Sequence, residues 1–148
     1  MTFAWLELRT HCHATEDEEK VSLALQFLCP GVKPSSTKTE GFHRNPIIVL
    51  AARTDNAKSI REFWRLLHGE NLVGSILGLG GKAIDKDSVL HFRLDKQEAY
   101  LGKAVLAGDE DAIVVRVKVI RYPSAKGDVM STARESIMEL TQRHVPDT

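Results

Sequence analysis

Phe3-Ala4-Trp5-Leu6-Glu7-Leu8-Arg9-Thr10-His11-Cys12-His13 alternates along its length, with Leu6, Leu8 and Cys12 on one side and Glu7, Arg9, His11 and His13 on the other. Successive side chains of an extended strand leave opposite faces. A period of two therefore predicts a half-buried β-strand with one face in a core and a basic, histidine-bearing face outside it. Everything downstream is read for partners to this strand.

The next segment changes period. Thr15 with Glu18 forms a capping box, and the acids Glu16 to Glu19 lie where a helix dipole favours negative charge. Val21, Leu25 and Leu28 supply the buried stripe, and Cys29-Pro30-Gly31 stops the helix. Residues 32–40 and 46–54 read as a strand pair joined by Gly41-Phe42-His43-Arg44-Asn45, the second strand apolar enough to be central. Asp55 is the expected N-cap of a helix whose Ile60, Phe63, Trp64 and Leu67 recur at helical spacing. Residues 70–86 carry a short apolar segment, 72–77, and then Gly78-Leu79-Gly80-Gly81, with no periodicity that assigns a structure.

Alternation returns at 89–94, with Leu90, Phe92 and Leu94 inward and His91 and Arg93 outward. Asp95 and Glu98 make a second box for a short helix ended by Gly102. Residues 103–107 and 112–121 are expected to be strands around an acidic turn; in the latter Ile113, Val115, Val117 and Val119 oppose Arg116 and Lys118. A last helix over 126–144 should bury Met130, Ala133, Ile137 and Leu140. The order β-α-β-β-α-β-α-β-β-α predicts an α+β fold, a largely antiparallel sheet with helices packed on one face and the other face open. At 148 residues, with 43% hydrophobic and 27% charged residues and no internal repeat or linker, the chain is expected to form a single domain, residues 1–148.

Composition narrows the function classes. No apolar run is long enough to span a bilayer and no secretory leader is evident, so a cytoplasmic protein without membrane contact is expected. Cys12 and Cys29 are too far apart for a CxxC motif and sit in apolar patterns, which predicts buried, reduced thiols. Net charge is zero, yet seven of the 20 acids are confined to 16–19 and 109–111, leaving 13 acids against 20 bases elsewhere.

The candidate site is the outward face of the strands. Arg9, His11, His91, Arg93, Arg116 and Lys118 alternate with core residues and project together if their strands share one sheet. Lysine and arginine bind phosphate through charge and released counterions, and histidine or arginine planes stack on unpaired bases. The competing reading is a solvated face of scattered charge. Aromatics of the kind an RNA-recognition motif exposes are missing, with Trp5 the one candidate for stacking, so if the ligand is RNA, as the resemblance given below implies, shape and backbone recognition of a structured or double-stranded form is favoured. His11-Cys12-His13 does not make a metal site, because Cys12 points away from the two histidines. Gly78-Leu79-Gly80-Gly81-Lys82 departs from a phosphate-binding loop at both Ile76 and Ala83. Asp95, Lys96 and Glu98 read as a capped helix with a solvated charged side chain, and neither a nucleophile–base pair nor clustered carboxylates are evident. No enzyme, no cofactor and no metal are expected.

Four stretches carry a family resemblance: His13 to Val21, Thr39 to Ile47, Phe92 to Gly102, and Val115-Arg116-Val117-Lys118. Together they resemble an archaeal family described as predicted exosome subunits or RNA-binding proteins, over nearly the whole chain. The resemblance implies a fold similar to the fifth protein of the large ribosomal subunit and an accessory role in RNA processing, with exosome subunits as partners. The family's loop tends to read Gly-His-His-Gly-Asn-Pro, where Phe42 and Arg44 stand here in place of a histidine and a glycine; the added arginine suits phosphate contact. The expected RNA contacts are thus Arg9, Arg93, Arg116, Lys118 and Arg44 on phosphates, with His11, His43 and His91 on sugars or bases. The alternative is a protein-interaction module docking on the exosome or ribosome, for which the apolar segment 72–79 would be the contact.

Overall fold

A computed structural model describes residues 3–13, 15–40, 46–108, 111–120 and 128–142, the side chains of Thr39, Glu40, Pro46 and Gln142 excepted. The elements run β1 (Phe3–Cys12), α1 (Glu18–Leu28), β2 (Ser35–Glu40), β3 (Pro46–Thr54), α2 (Ala57–Gly69), α3 (Val73–Leu77), a 3-10 turn (Gly80–Ala83), β4 (Val89–Asp95), α4 (Lys96–Tyr100), β5 (Ala112–Val119) and α5 (Val129–Gln142). The five strands form one sheet in the order β2-β3-β1-β5-β4, every pair antiparallel. β1, whose alternation is the clearest in the sequence, is the central strand.

The register explains the two faces. Ala52, Leu8, Val115 and Phe92 are level across four strands, and all four are buried. One residue along, Arg53, Glu7, Arg116 and His91 are level on the opposite side. Side chains directly opposite share a face, so the core-side set of every strand is turned one way and the polar set the other. Helices α1, α2 and α5 pack on the core side, against β1 and β3, β1, and β5 respectively. Ile60, Phe63, Trp64 and Leu67 of α2 are wholly buried there, each contributing about 1.5–3 kcal/mol of apolar transfer. Phe3, Phe63, Trp64 and Phe92 form an aromatic cluster with ring centroids 5.5 to 6.4 Å apart.

Several sequence expectations shift. Helix α1 is capped by Asp17, whose carboxylate accepts from the Glu19 amide, and α2 by Asn56, which accepts from Lys58 and Ser59; Thr15 and Asp55 are not the caps. Asp95 caps α4 as expected, accepting from the Glu98 amide, and Gly102 follows at φ +84°, a conformation glycine alone adopts without strain. The strand expected at 103–107 is reduced to one bridge, Leu94 to Leu106, flanked by hydrogen bonds from the Asp95 amide to Val105 (2.7 Å) and from the Ala107 amide to Arg93 (3.0 Å). Strand β2 begins at Ser35 rather than 32. In the unassigned segment, α3 buries Ile76 and Leu77 while Leu72 and Val73 pack against the core. Among the described residues no helix is long and apolar enough to cross a membrane.

Candidate nucleic-acid interface

The open face is built from the outward residues of the sheet, and its two halves differ. In the row Arg53, Glu7, Arg116, His91, the Glu7 carboxylate accepts from Arg53 Nη1 at 3.4 Å and from Arg116 Nη1 at 3.3 Å. The same guanidiniums lie over the Trp5 ring, at 4.3 Å for Arg53 and 5.5 Å for Arg116 from its centroid. Trp5, the expected stacking platform, is therefore already stacked on two arginines. At the end of the row His91 Nε2 lies 2.7 Å from Asp85 Oδ2, and the Lys118 ammonium donates to the Asp87 carbonyl. The hydrogen bond with His91, followed by that from the Val89 amide, lowers the Asp85 carboxyl to about 2.

Two residues along the strands the face changes character. Arg9 of β1 and Arg93 of β4 both align with Val114 of β5, and Arg9 aligns with Ala51 of β3 on its other side. Both guanidiniums are exposed and neither has a hydrogen-bond or ion-pair partner among the described residues. They stand two strand spacings apart, about 10 Å, with an apolar valine between them. His11, also exposed, follows Arg9 on the same face beside Val49. The structure thus brings together all six sheet residues singled out from the sequence, three of them engaged within the protein (His91, Arg116, Lys118) and three free (Arg9, His11, Arg93). His43 and Arg44 lie outside the described residues.

The sequence reading missed Arg53, because β3 reads as an apolar strand; its alternation Val49, Ala51, Arg53 was the available signal. It also missed Lys96. This side chain is buried, not solvated, and its ammonium donates to the His11 carbonyl (2.9 Å), to Glu16 Oε1 (2.9 Å) and to the Asp111 carboxylate. His13 Nε2 is 3.3 Å from Asp111 Oδ2, so His13, Glu16 and Asp111 do converge, contrary to the expectation that no carboxylates cluster. The Lys96 ammonium sits among them as their counter-charge. Cys12 and Cys29 are both free and buried; burial, with Glu62 adding, pushes the Cys29 thiol up to about 11, leaving it a neutral core group.

A five-stranded antiparallel sheet, backed by helices on one face and carrying on the other face arginines that no described residue pairs, defines an α+β protein. The chain belongs to the family whose model is described as RNA binding, which matches residues 5–119. An RNA-binding protein of Pyrococcus abyssi is 36% identical over 144 residues, covering 88% of this chain and 90% of that protein. Among solved structures, a DUF54 family protein of Archaeglobus fulgidus superposes with a TM-score of 0.79 at 34% identity, covering 90% of this chain and 98% of that one. A DUF54 protein of Methanothermobacter thermautotrophicus gives 0.76 at 31%, covering 95% and 99%.

Proposed function

We propose that this protein binds RNA through the open face of its sheet, without catalysis, and that Arg9 and Arg93 are the principal phosphate contacts. The observation that carries this reading is the pair of exposed guanidiniums, level across Val114, which among the described residues have no partner and stand on a sheet face that no helix covers. A guanidinium offers a planar fork of donors that matches phosphate oxygens and is held charged at any working pH. The RNA-binding family and the Pyrococcus relative support the choice of RNA as the polyanion. With Trp5 occupied by Arg53 and Arg116, the face has little to stack bases on, which favours structured or double-stranded RNA held by its backbone. Arg116, Lys118 and Arg44 extend the phosphate contacts, and His11, His43 and His91 reach sugars or bases.

The non-catalytic reading is supported by Lys96, whose ammonium is already engaged by the converging carboxylates of Glu16 and Asp111. The narrower role, an accessory factor of RNA processing that works beside exosome subunits, rests on the sequence resemblance; recovery of exosome subunits with the tagged protein, from an archaeal extract treated with nuclease, tests it. The interaction-module alternative loses its main support, since Ile76 and Leu77 are buried and of segment 72–79 only Leu79 is a largely exposed apolar side chain, at 43%.

The decisive experiment is an electrophoretic shift at low salt against hairpin, duplex and single-stranded RNAs. Binding to hairpin and duplex with a steep salt dependence is expected. No shift with any of them overturns the proposal.

A further inference from the structure

The two edges of the sheet are finished differently. Along β4, hydrogen bonds from Asp95 to Val105, from Ala107 to Arg93 and from Asp85 to Val89 cover the outer rim, and Ile84 bridges to Leu90. Along β2, no backbone partner other than β3 is found among the described residues, and Ser35, Ser36, Thr37 and Lys38 are all exposed. An uncovered edge of this kind presents free N–H and C=O groups to a further strand.

The residues beside this edge say which strand fits. Ser36 and Lys38 are on the helix side of the sheet, level with Leu50 and Ile48 of β3, while Ser35 and Thr37 are on the open side. Next to Ser36 a groove of about 420 Å³ runs between α1 and β2, lined by Glu18, Glu19, Ser22, Pro34, Ser36 and Leu50. Two exposed carboxylates therefore flank an edge whose own cation, Lys38, has no ion-pair partner among the described residues.

We propose that β2 is self-complementary and that two copies of this chain pair through it, antiparallel, about a two-fold axis at Thr37. That register sets Thr37 opposite Thr37 and Lys38 of each copy opposite Ser36 of the other, at the mouth of the groove holding Glu18 and Glu19. Directly opposed side chains in such a pair have Cβ atoms about 4.5–5.5 Å apart, within easy reach for a lysine. Centring the axis on Lys38 would oppose like charges. Shifting it by half a residue would put the helices of the two copies on opposite sides of the sheet. The chosen register instead gives one ten-stranded sheet with both open faces on the same side. Arg9, level with Ser35, then lies five strand spacings across and about 13 Å along the strands from Arg9 of the other copy, about 27 Å in all. The dimer stands on the edge geometry and does not depend on the choice of RNA as ligand.

Sedimentation of the full chain and a cysteine pair test it. Because Cys12 and Cys29 are buried, Thr37→Cys adds a surface thiol that should oxidise to a covalent dimer. Ser35→Cys should not, since in this register two copies of residue 35 are offset by about 13 Å. Lys38→Glu should weaken the dimer about tenfold or more, and Glu18→Lys with Glu19→Lys in the same chain should restore it. A monomer at millimolar concentration, cross-linking of Ser35→Cys as fast as Thr37→Cys, or failure of the charge reversal to restore pairing would each overturn the proposal. So would a chain that stays monomeric while an extended peptide of another protein occupies β2.

Discussion

Arg116 and Arg93 stand on neighbouring strands of one sheet face, two residues apart in register, and their circumstances are opposite. Arg116 shares the Glu7 carboxylate with Arg53 and lies against Trp5, whereas Arg93 and its counterpart Arg9 face solvent across Val114. A charge facing outward and a charge free to bind are thus different properties. The Glu7 side chain is only 12% exposed and holds Arg53 and Arg116 by hydrogen bonds of the same charge-assisted kind that a phosphate would offer. A phosphate must therefore compete with Glu7 for that row, whereas Arg9 and Arg93 have no such competitor among the described residues.

The largest effect is expected at the buried cation, Lys96. Lys96→Met should destabilise the protein by about 3 kcal/mol, because it leaves Glu16 and Asp111 repelling one another and the His11 carbonyl without its donor; urea unfolding measures it. RNA affinity per folded molecule should be unchanged, and a selective loss of affinity would break the distinction drawn between the buried cation and the exposed ones.

Arg9→Ala combined with Arg93→Ala comes next, with unfolding free energy within about 0.5 kcal/mol of wild type and weaker binding to every RNA that shifts. The log–log salt slope should become shallower by about 0.7 to 0.9 for each phosphate that is no longer neutralised. Lys58→Ala on the helical side is the control. It is cleaner than Arg65→Ala, because Arg65 Nε donates to the Leu140 carbonyl and ties α2 to α5. Normal binding by the double variant with an unchanged slope would remove the Arg9 row from the interface.

A smaller effect of opposite sign is expected from Glu7→Gln, which releases Arg53 and Arg116 and should tighten RNA binding by about 0.5–1 kcal/mol, about two- to fivefold, in a filter-binding titration at low salt. Weaker binding would show that the carboxylate positions the guanidiniums rather than occupying them. The smallest effect concerns His91 and Asp85. The Asp85 carboxyl is held near 2, below its unfolded value, so its stabilising share is present above about pH 4 and is lost as pH falls from about 4 through 2. Asp85→Asn should flatten the acid limb of the stability profile in that window by slightly lowering stability at neutral pH, while stability below about pH 2 stays little altered.

What could be read from the sequence was whatever repeats at short range. Strand β3 spans Pro46–Thr54 as expected, and the four α2 residues spaced for a buried stripe are the four with no exposure, because their pattern and their burial have the same cause. Caps were legible only to within a residue or two, since Thr15 and Asp17, or Asp55 and Asn56, are equally able to accept an amide hydrogen bond and the chain path decides between them. Alternation placed Arg9, His11, His91, Arg93, Arg116 and Lys118 on one face, and the register bears that out. Which of them are engaged was not legible, because the pairing of Glu7 with Arg116 spans 109 residues and depends on strand order. Lys96 was misread for the same reason: its Glu16 partner is 80 residues away, and nothing local marks a lysine beside a helix cap as buried.

The Lys96 hydrogen bonds also bear on the order of events in folding. They join the end of β1, the turn before α1, the start of α4 and the residue before β5, so they close only after β1, β5 and β4 have come into register. Interactions that form after the rate-limiting step act on unfolding rather than folding. On that order of events the lysine is a latch in time as well as in space, contributing little to how fast the sheet assembles and much to how long, once assembled, the open arginine face persists.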